Sequence, residues 1–152
     1  MRNKSKEWDL TFLRIAKELG DKSHCVSRQV GCVFVLDGRI LASGINGTAP
    51  GEKNCDALFH KNNFDASEHR AWSDIAELHA EQNAIVYAAK KGIALEGSTL
   101  YCTLQPCIHC SKLLLALGVK RVVFGNYYDR VDMSSLERFN SHNIEYEYLP
   151  LV

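Results

Sequence analysis

Surplus charge is the first thing this sequence lacks: eighteen Lys and Arg balance eighteen Asp and Glu over 152 residues. Without a net positive field the chain has no global means of holding a nucleic-acid backbone or an anionic membrane surface, so neither is an expected partner. Long apolar runs are missing too, and none approaches the ~20 residues that cross a bilayer. Met1 to Glu7 is charged and lacks the apolar core of a secretory signal. A cytoplasmic location is the expectation. Proline is scarce, with three residues, and no internal repeat or low-complexity tract is visible, which removes repeat architectures. What remains is 46% hydrophobic, enough for one compact domain with a proper core and too short for two ordinary ones. A single domain spanning residues 1–152 is expected.

Six cysteines are present, yet a chain of this size without an export signal more often keeps them for metal or packing than for disulfides. Cys32 and Cys102 fall inside strand-like apolar runs and read as small core hydrophobes. Cys25, Cys55, Cys107 and Cys110 need another explanation.

The apolar periodicity alternates regularly. Trp8, Phe12, Ile15, Ala16 and Leu19 recur at helical spacing before Gly20, predicting a helix from about residue 6 to 20. Val30 to Leu36 and Ile40 to Ile45 flank Asp37-Gly38, a strong hairpin signal that predicts two antiparallel strands. From Gly47 to about Asp74 the pattern dissolves, and so long an unpatterned loop in a compact domain needs a function or a clamp to order it. A helix is predicted from Leu78 to Lys91 with Gly92 as its stop, then a strand at Thr99 to Leu104 and a helix at Cys107 to Leu117. A strand at Arg121 to Phe124, a helix at Met133 to Asn140 and a strand at Ile144 to Leu149 follow. Strands joined by single helices run parallel when they are neighbours. The expected fold is therefore α/β, a three-layer α/β/α arrangement with a mixed five-stranded central sheet.

Two short motifs carry the chemistry: His79-Ala80-Glu81 and Pro106-Cys107-Ile108-His109-Cys110. His79, Cys107 and Cys110 supply three zinc ligands, one fewer than a closed structural site uses, and Glu81 is a carboxylate not needed as a ligand. Helix starts stabilise thiolates, and a spacing of three puts both cysteines on one helical side while His109 points elsewhere. Pro106 suits a helix start, where its missing N–H costs nothing. Each piece has a plain alternative. The Cys-x-x-Cys could be a dithiol pair, His79 a capping residue, and Glu81 a first-turn carboxylate facing the helix dipole. All four at these offsets match the signature of zinc-dependent nucleobase deaminases, in which the metal activates water and the glutamate moves its proton. The expected reaction is hydrolytic deamination with Glu81 as the catalytic group.

Further landmarks carry a closer resemblance. The stretch Ala76 to Ile85 (AELHAEQNAI), the Gly44-Ile45-Asn46-Gly47 turn, Ser27 to Gly31, the Pro106-to-Cys110 motif and Tyr127-Tyr128-Asp129 together resemble deoxycytidylate (dCMP) deaminases, from about Phe12 to Tyr148. The zinc motif is shared by cytidine, cytosine, guanine and tRNA adenosine deaminases, so the choice of substrate rests on the asparagine turn and on Asn54-Cys55-Asp56. The resemblance implies a cytidine deaminase-like fold and conversion of dCMP to dUMP and ammonia. It implies that Asn46 hydrogen-bonds the deoxyribose, that Ser27 and Arg28 lie near the monophosphate, and that Tyr127 or Tyr128 lies against the nucleotide. It also implies a homo-oligomer, a hexamer, activated by dCTP and inhibited by dTTP with Mg²⁺. Gly44, Asn46 and Gly47 would read the effectors, while Tyr87 and Lys90 lie at positions linked to subunit contact and regulation. Ile45 stands where such proteins commonly have tyrosine, and Pro50 lies one place later than expected. Both departures bear on the effector pocket and neither on catalysis.

The same resemblance implies a second, structural zinc held by Cys25, Cys55, His69 and Glu77, with His60 as the alternative fourth ligand. Such a clamp would explain an ordered Gly47-to-Asp74 segment. Otherwise Cys25 and Cys55 are buried thiols and His69 and Glu77 surface residues. A zinc-stabilised binding module without catalysis would not need Glu81, and a redox protein would not need His79. A polynucleotide deaminase would need a basic groove or tail.

Overall fold

The computed structural model describes residues 4–128 and 134–151. Helix α1 (Lys4–Gly20) is followed by the hairpin β1 (Gly31–Leu36) and β2 (Arg39–Ile45), whose turn places Asp37 and Gly38 at φ 51° and 73°. Positive φ at both central residues is the turn geometry that matches strand twist, which is why Asp-Gly announced it. Then come β3 (Gly47–Thr48), α2 (Cys55–Leu58), α3 (Ala66–Ala76), β4 (Glu77–Leu78), α4 (Ala80–Lys91) and β5 (Thr99–Cys102). The chain continues through α5 (Ile108–Leu117), β6 (Arg121–Phe124), α6 (Ser134–Ser141) and β7 (Glu145–Tyr148).

The central sheet has five strands in the order β2-β1-β5-β6-β7. Strand β1 is antiparallel to both β2 and β5, whereas β5, β6 and β7 run parallel, so the sheet is mixed as expected. Alternation along the strands sorts the core into two layers. Val33, Val35, Tyr101 and Val123 face α1 through Phe12, Leu13 and Ala16. Cys32, Phe34, Leu100, Cys102, Val122 and Phe124 face α4, α5 and α6. That is the three-layer α/β/α arrangement.

The Gly47-to-Asp74 stretch differs from the unpatterned loop its sequence suggests. It holds β3, paired with β4, and the helices α2 and α3. Helix α3 begins at Asp65, whose side chain accepts from the Ser67 and Glu68 N–H groups, but it buries only His69. With no apolar stripe there is no periodicity to find. The β3–β4 pairing of Glu77 and Leu78 also takes Leu78 out of the predicted helix, so α4 starts at Ala80. Strand β5 ends at Cys102, two residues short of the expected Leu104. Met133, the expected first residue of α6, and Asp129 lie outside the described residues.

Two contacts set the position of the site. A Cβ on Gly44 would lie 2.1 Å from the Ala80 carbonyl oxygen and 2.7 Å from the Ala84 nitrogen, so only glycine allows β2 to lie against the start of α4. On the opposite layer, buried Asp9 accepts from Tyr101 Oη at 2.6 Å and from both Arg121 Nη atoms at 2.8 and 2.9 Å, and Arg121 also reaches Glu147 at 2.7 Å. Burial by itself raises the Asp9 pKa, but the hydrogen bonds from Arg121 and Tyr101 outweigh it and the net direction is down. A carboxylate depressed in the folded state stabilises above its unfolded pKa, and that stability is lost as pH falls through the folded value. Asp9→Asn is therefore expected to cost about 2–3 kcal/mol at neutral pH, the low side for a buried pair because Arg121 keeps Glu147. It should also flatten the acid limb of Tm against pH below about 4. Thermal melts from pH 3 to 8 that superimpose for the two proteins would rule this out.

Candidate active site

His79 caps α4 with an extended backbone, φ −71° and ψ 159°, and its N–H is donated to Gln82 Oε1 at 2.8 Å. Cys107 occupies the same place on α5, and its sulfur accepts from the Cys110 N–H at 3.5 Å. Two helix starts thus converge. His79 Nδ1 lies 3.4 Å from Cys107 Sγ and 3.3 Å from Cys110 Sγ. Zinc bonded tetrahedrally to one nitrogen and two sulfurs needs N···S separations of about 3.6 Å, so this donor set fits the ion. A hydrogen bond from the Cys110 thiol, helped by one from His79, outweighs burial and pulls the Cys107 pKa down to about 4. His79 is shifted upward, chiefly by Cys107. His109 is exposed and stands outside the cluster.

Glu81 follows in the first turn of α4 and is 4% exposed. Its Oε1 lies 3.1 Å from the Cys102 sulfur. Both Glu81 and His79 line a cavity of about 200 Å³, whose wall also includes Ser27, Arg28, Asn46 and Tyr128. Asn46 is largely committed to the protein: its Nδ2 donates to the Arg28 carbonyl at 2.8 Å and its Oδ1 accepts from Val30 N–H at 2.9 Å. One N–H and one lone pair remain for a ligand. The Arg28 guanidinium lies over the Tyr128 ring at 4.8 Å. Tyr127 is outside this cavity, tilted against Tyr148 and edge-on to Phe124 at 4.4 and 5.2 Å, so of the two tyrosines Tyr128 is the wall residue. Gly44 is packed against α4, Gly47 has open space around its Cα, and Tyr87 and Lys90 are exposed on the outer side of α4.

A second cluster joins Cys25, Cys55, His69 and Glu77. His69 Nε2 is 3.7 Å from Cys25 Sγ, 3.3 Å from Cys55 Sγ and 3.5 Å from Glu77 Oε1, and Cys25 Sγ is 3.5 Å from the same oxygen. Four donors at about the spacing of a tetrahedral zinc site make a closed set. Glu77 Oε2 is buried with no hydrogen-bond partner, a costly state that a cation beside the carboxylate relieves. Burial pushes the Cys25 thiol up to about 12. Phe59, Phe64 and Trp72 pack around the His69 ring at 5.2 to 6.0 Å. His60 is exposed and lies apart.

The model of the cytidine and deoxycytidylate deaminase zinc-binding region matches residues 6–126. The chain belongs to this family. Among similar deaminases, the deoxycytidylate deaminase of Enterobacteria phage T2 is 35% identical over 79% of this chain and 80% of its own. The crystal structure of the dCMP deaminase from cyanophage S-TIM5 in complex with dCMP and dUMP has a TM-score of 0.77 and 33% identity, covering 98% of this chain and 99% of that one. A Thermotoga maritima diaminohydroxyphosphoribosylaminopyrimidine deaminase/reductase is also similar, with a TM-score of 0.68 and 32% identity, over 93% of this chain and 36% of its own. The deaminase fold is therefore shared by enzymes with different substrates.

Two parts of this deaminase's site were not legible in the sequence. Helix α3 brings Arg70, Ser73 and Asp74 to the cavity wall, and Cys102 approaches Glu81. The first was hidden because α3 lacks an apolar stripe. The second had no sequence signal beyond a cysteine two residues before Leu104.

Proposed function

We propose that the chain hydrolyses dCMP to dUMP and ammonia. The observation that carries this reading is the convergence of His79, Cys107 and Cys110 next to Glu81, with His79, Glu81 and Cys107 lining one cavity, and the similarity to deoxycytidylate deaminases supports the substrate. His79, Cys107 and Cys110 would hold zinc, and Cys25, Cys55, His69 and Glu77 a second zinc that fastens the β3–α3 segment. Zinc in the first site supplies a water acidified to a pKa of about 7. Glu81 takes a proton from the attacking water and delivers it to the ring nitrogen as the amino-bearing carbon is attacked. It then assists protonation of the departing ammonia. The buried position of Glu81 keeps bulk water away from that proton.

The cavity wall supports a nucleotide over a free base. Asn46 offers its remaining N–H and lone pair to the deoxyribose, while Ser27 and Arg28 meet the monophosphate, with Tyr128 holding the Arg28 guanidinium by cation–π attraction. In the finer form of this reading the enzyme is a cytoplasmic homohexamer, activated by dCTP and inhibited by dTTP with Mg²⁺ through the Gly44-to-Gly47 turn, Tyr87 and Lys90. Among the described residues no helix is long and apolar enough to cross a membrane.

The test is ammonia release from dCMP, deoxycytidine, cytosine and a tRNA hairpin, each with and without dCTP or dTTP and Mg²⁺. A kcat/KM for dCMP at least about 100-fold above deoxycytidine is expected from a charge-assisted phosphate contact. Equal values for nucleotide and nucleoside remove the phosphate reading, and preference for the hairpin removes dCMP as substrate.

A further inference from the structure

We propose that Cys102 is a positioning residue for Glu81, its thiol donating a hydrogen bond to Oε1 and holding the carboxylate in line for proton transfer. The inference rests on Glu81 being the proton carrier. Strand β5 lies at the centre of the sheet, between β1 and β6, with Cys102 at its last position opposite Cys32 and beside Phe124. Its side chain falls on the layer that faces Ala80 and Ala84 of α4 and is wholly buried. From there the sulfur reaches Glu81 Oε1 at 3.1 Å, across the interface between the sheet and the helix start.

A small core hydrophobe would fill that space, but it would leave the carboxylate without this donor. Burial is complete and keeps the Cys102 thiol protonated, so it approaches Glu81 as a donor. Cys110 also lies beside Glu81. A sulfur that ligates zinc is a thiolate, however, and has no proton to give. Among the described residues Cys102 is the thiol hydrogen-bonded to Glu81 Oε1, and it anchors that oxygen while the other meets water and base. A glutamate side chain has three rotatable bonds, and a displacement of about 1 Å at the reacting oxygen can cost 100-fold in rate.

Three variants separate the hydrogen bond from the packing: Cys102→Ala and Cys102→Val remove the donor at smaller and similar volume, and Cys102→Ser keeps it. At equal zinc content, Ala and Val are expected to lower kcat on dCMP by about 10-fold or more with KM within about twofold, whereas Ser stays within about threefold of the parent. In a Glu81→Gln background, Cys102→Ala should lower the residual rate no further, because the group it positions is already disabled. Parental kcat for Ala and Val overturns the proposal. So does a loss that Ser shares in full, or a loss of the same size in the Glu81→Gln background. Full turnover by Glu81→Gln alone is a different failure, since it removes Glu81 as proton carrier and this role with it.

Discussion

Glu81→Gln is expected to yield a folded, zinc-loaded protein whose kcat on dCMP is lower by roughly 10³-fold or more. Glutamine has nearly the volume of glutamate, so the 4% exposed position is refilled without a cavity, and its amide oxygen can still accept from Cys102. The ligand set of His79, Cys107 and Cys110 is not touched. What disappears is a group able to take a proton from water and return it to the ring nitrogen and the leaving group. Positioned acid–base catalysis is worth about 10²–10⁴-fold per role, and in the proposed mechanism Glu81 would serve in two transfers. KM should change little, because the residues proposed for the sugar and phosphate, Asn46, Ser27 and Arg28, are not altered. Steady-state ammonia release, with zinc measured by elemental analysis, checks both halves. A variant within about tenfold of parental kcat would sink the assignment of Glu81. One that has lost its zinc would mean that the carboxylate belongs to the metal site.

Cys55→Ser is expected to have the largest effect on stability. Wild-type protein should carry two zinc ions per chain and the variant one. Cys55 lies on α2, His69 on α3, Glu77 on β4 and Cys25 before β1, so one ion there would tie together four separate segments. Structural zinc in small peptides is worth about 10–16 kcal/mol, nearly all of their folding energy. Here the five-stranded sheet stands independently of the cluster. A loss of about 5 kcal/mol is therefore expected, or roughly 10–20 °C in Tm for a chain of this size. Activity should fall as well, since Glu77 and His79 are two residues apart in one extended run and a loosened Glu77 displaces the histidine beside it. One zinc per wild-type chain, with a Cys55→Ser melting curve within a few degrees of the parent, would reject the second ion. The four residues would then be a packed thiol and histidine cluster around an unpaired Glu77 oxygen.

The elements that the sequence revealed are those with a local signature. The Asp37-Gly38 hairpin, the individual strands β5, β6 and β7 and the helix starts at His79 and Cys107 each carry their signal within a few positions. Where the expectation of an unpatterned loop failed, at α2, α3 and the β3–β4 pair, the order comes from partners distant in the chain: Gly47 against Leu78, and His69 against Cys25 and Cys55. Such contacts carry no periodicity.

The sequence by itself determined the chemistry. His79, Glu81, Cys107 and Cys110 are specified by short spacings on two helix starts, where a helix N-terminus favours ionised sulfur and a nearby carboxylate. Only the tertiary structure decided which residues complete them. It drew Cys25, Cys55, His69 and Glu77 to one point, made Tyr128 and not Tyr127 the cavity wall, and turned Cys102 from core filling into a donor to Glu81. Those outcomes depend on how the strands are ordered and how α4 lies on the sheet, which Gly44 permits by leaving room for the Ala80 carbonyl. Local spacing reports what a residue can do, but close packing between distant segments decides what it meets.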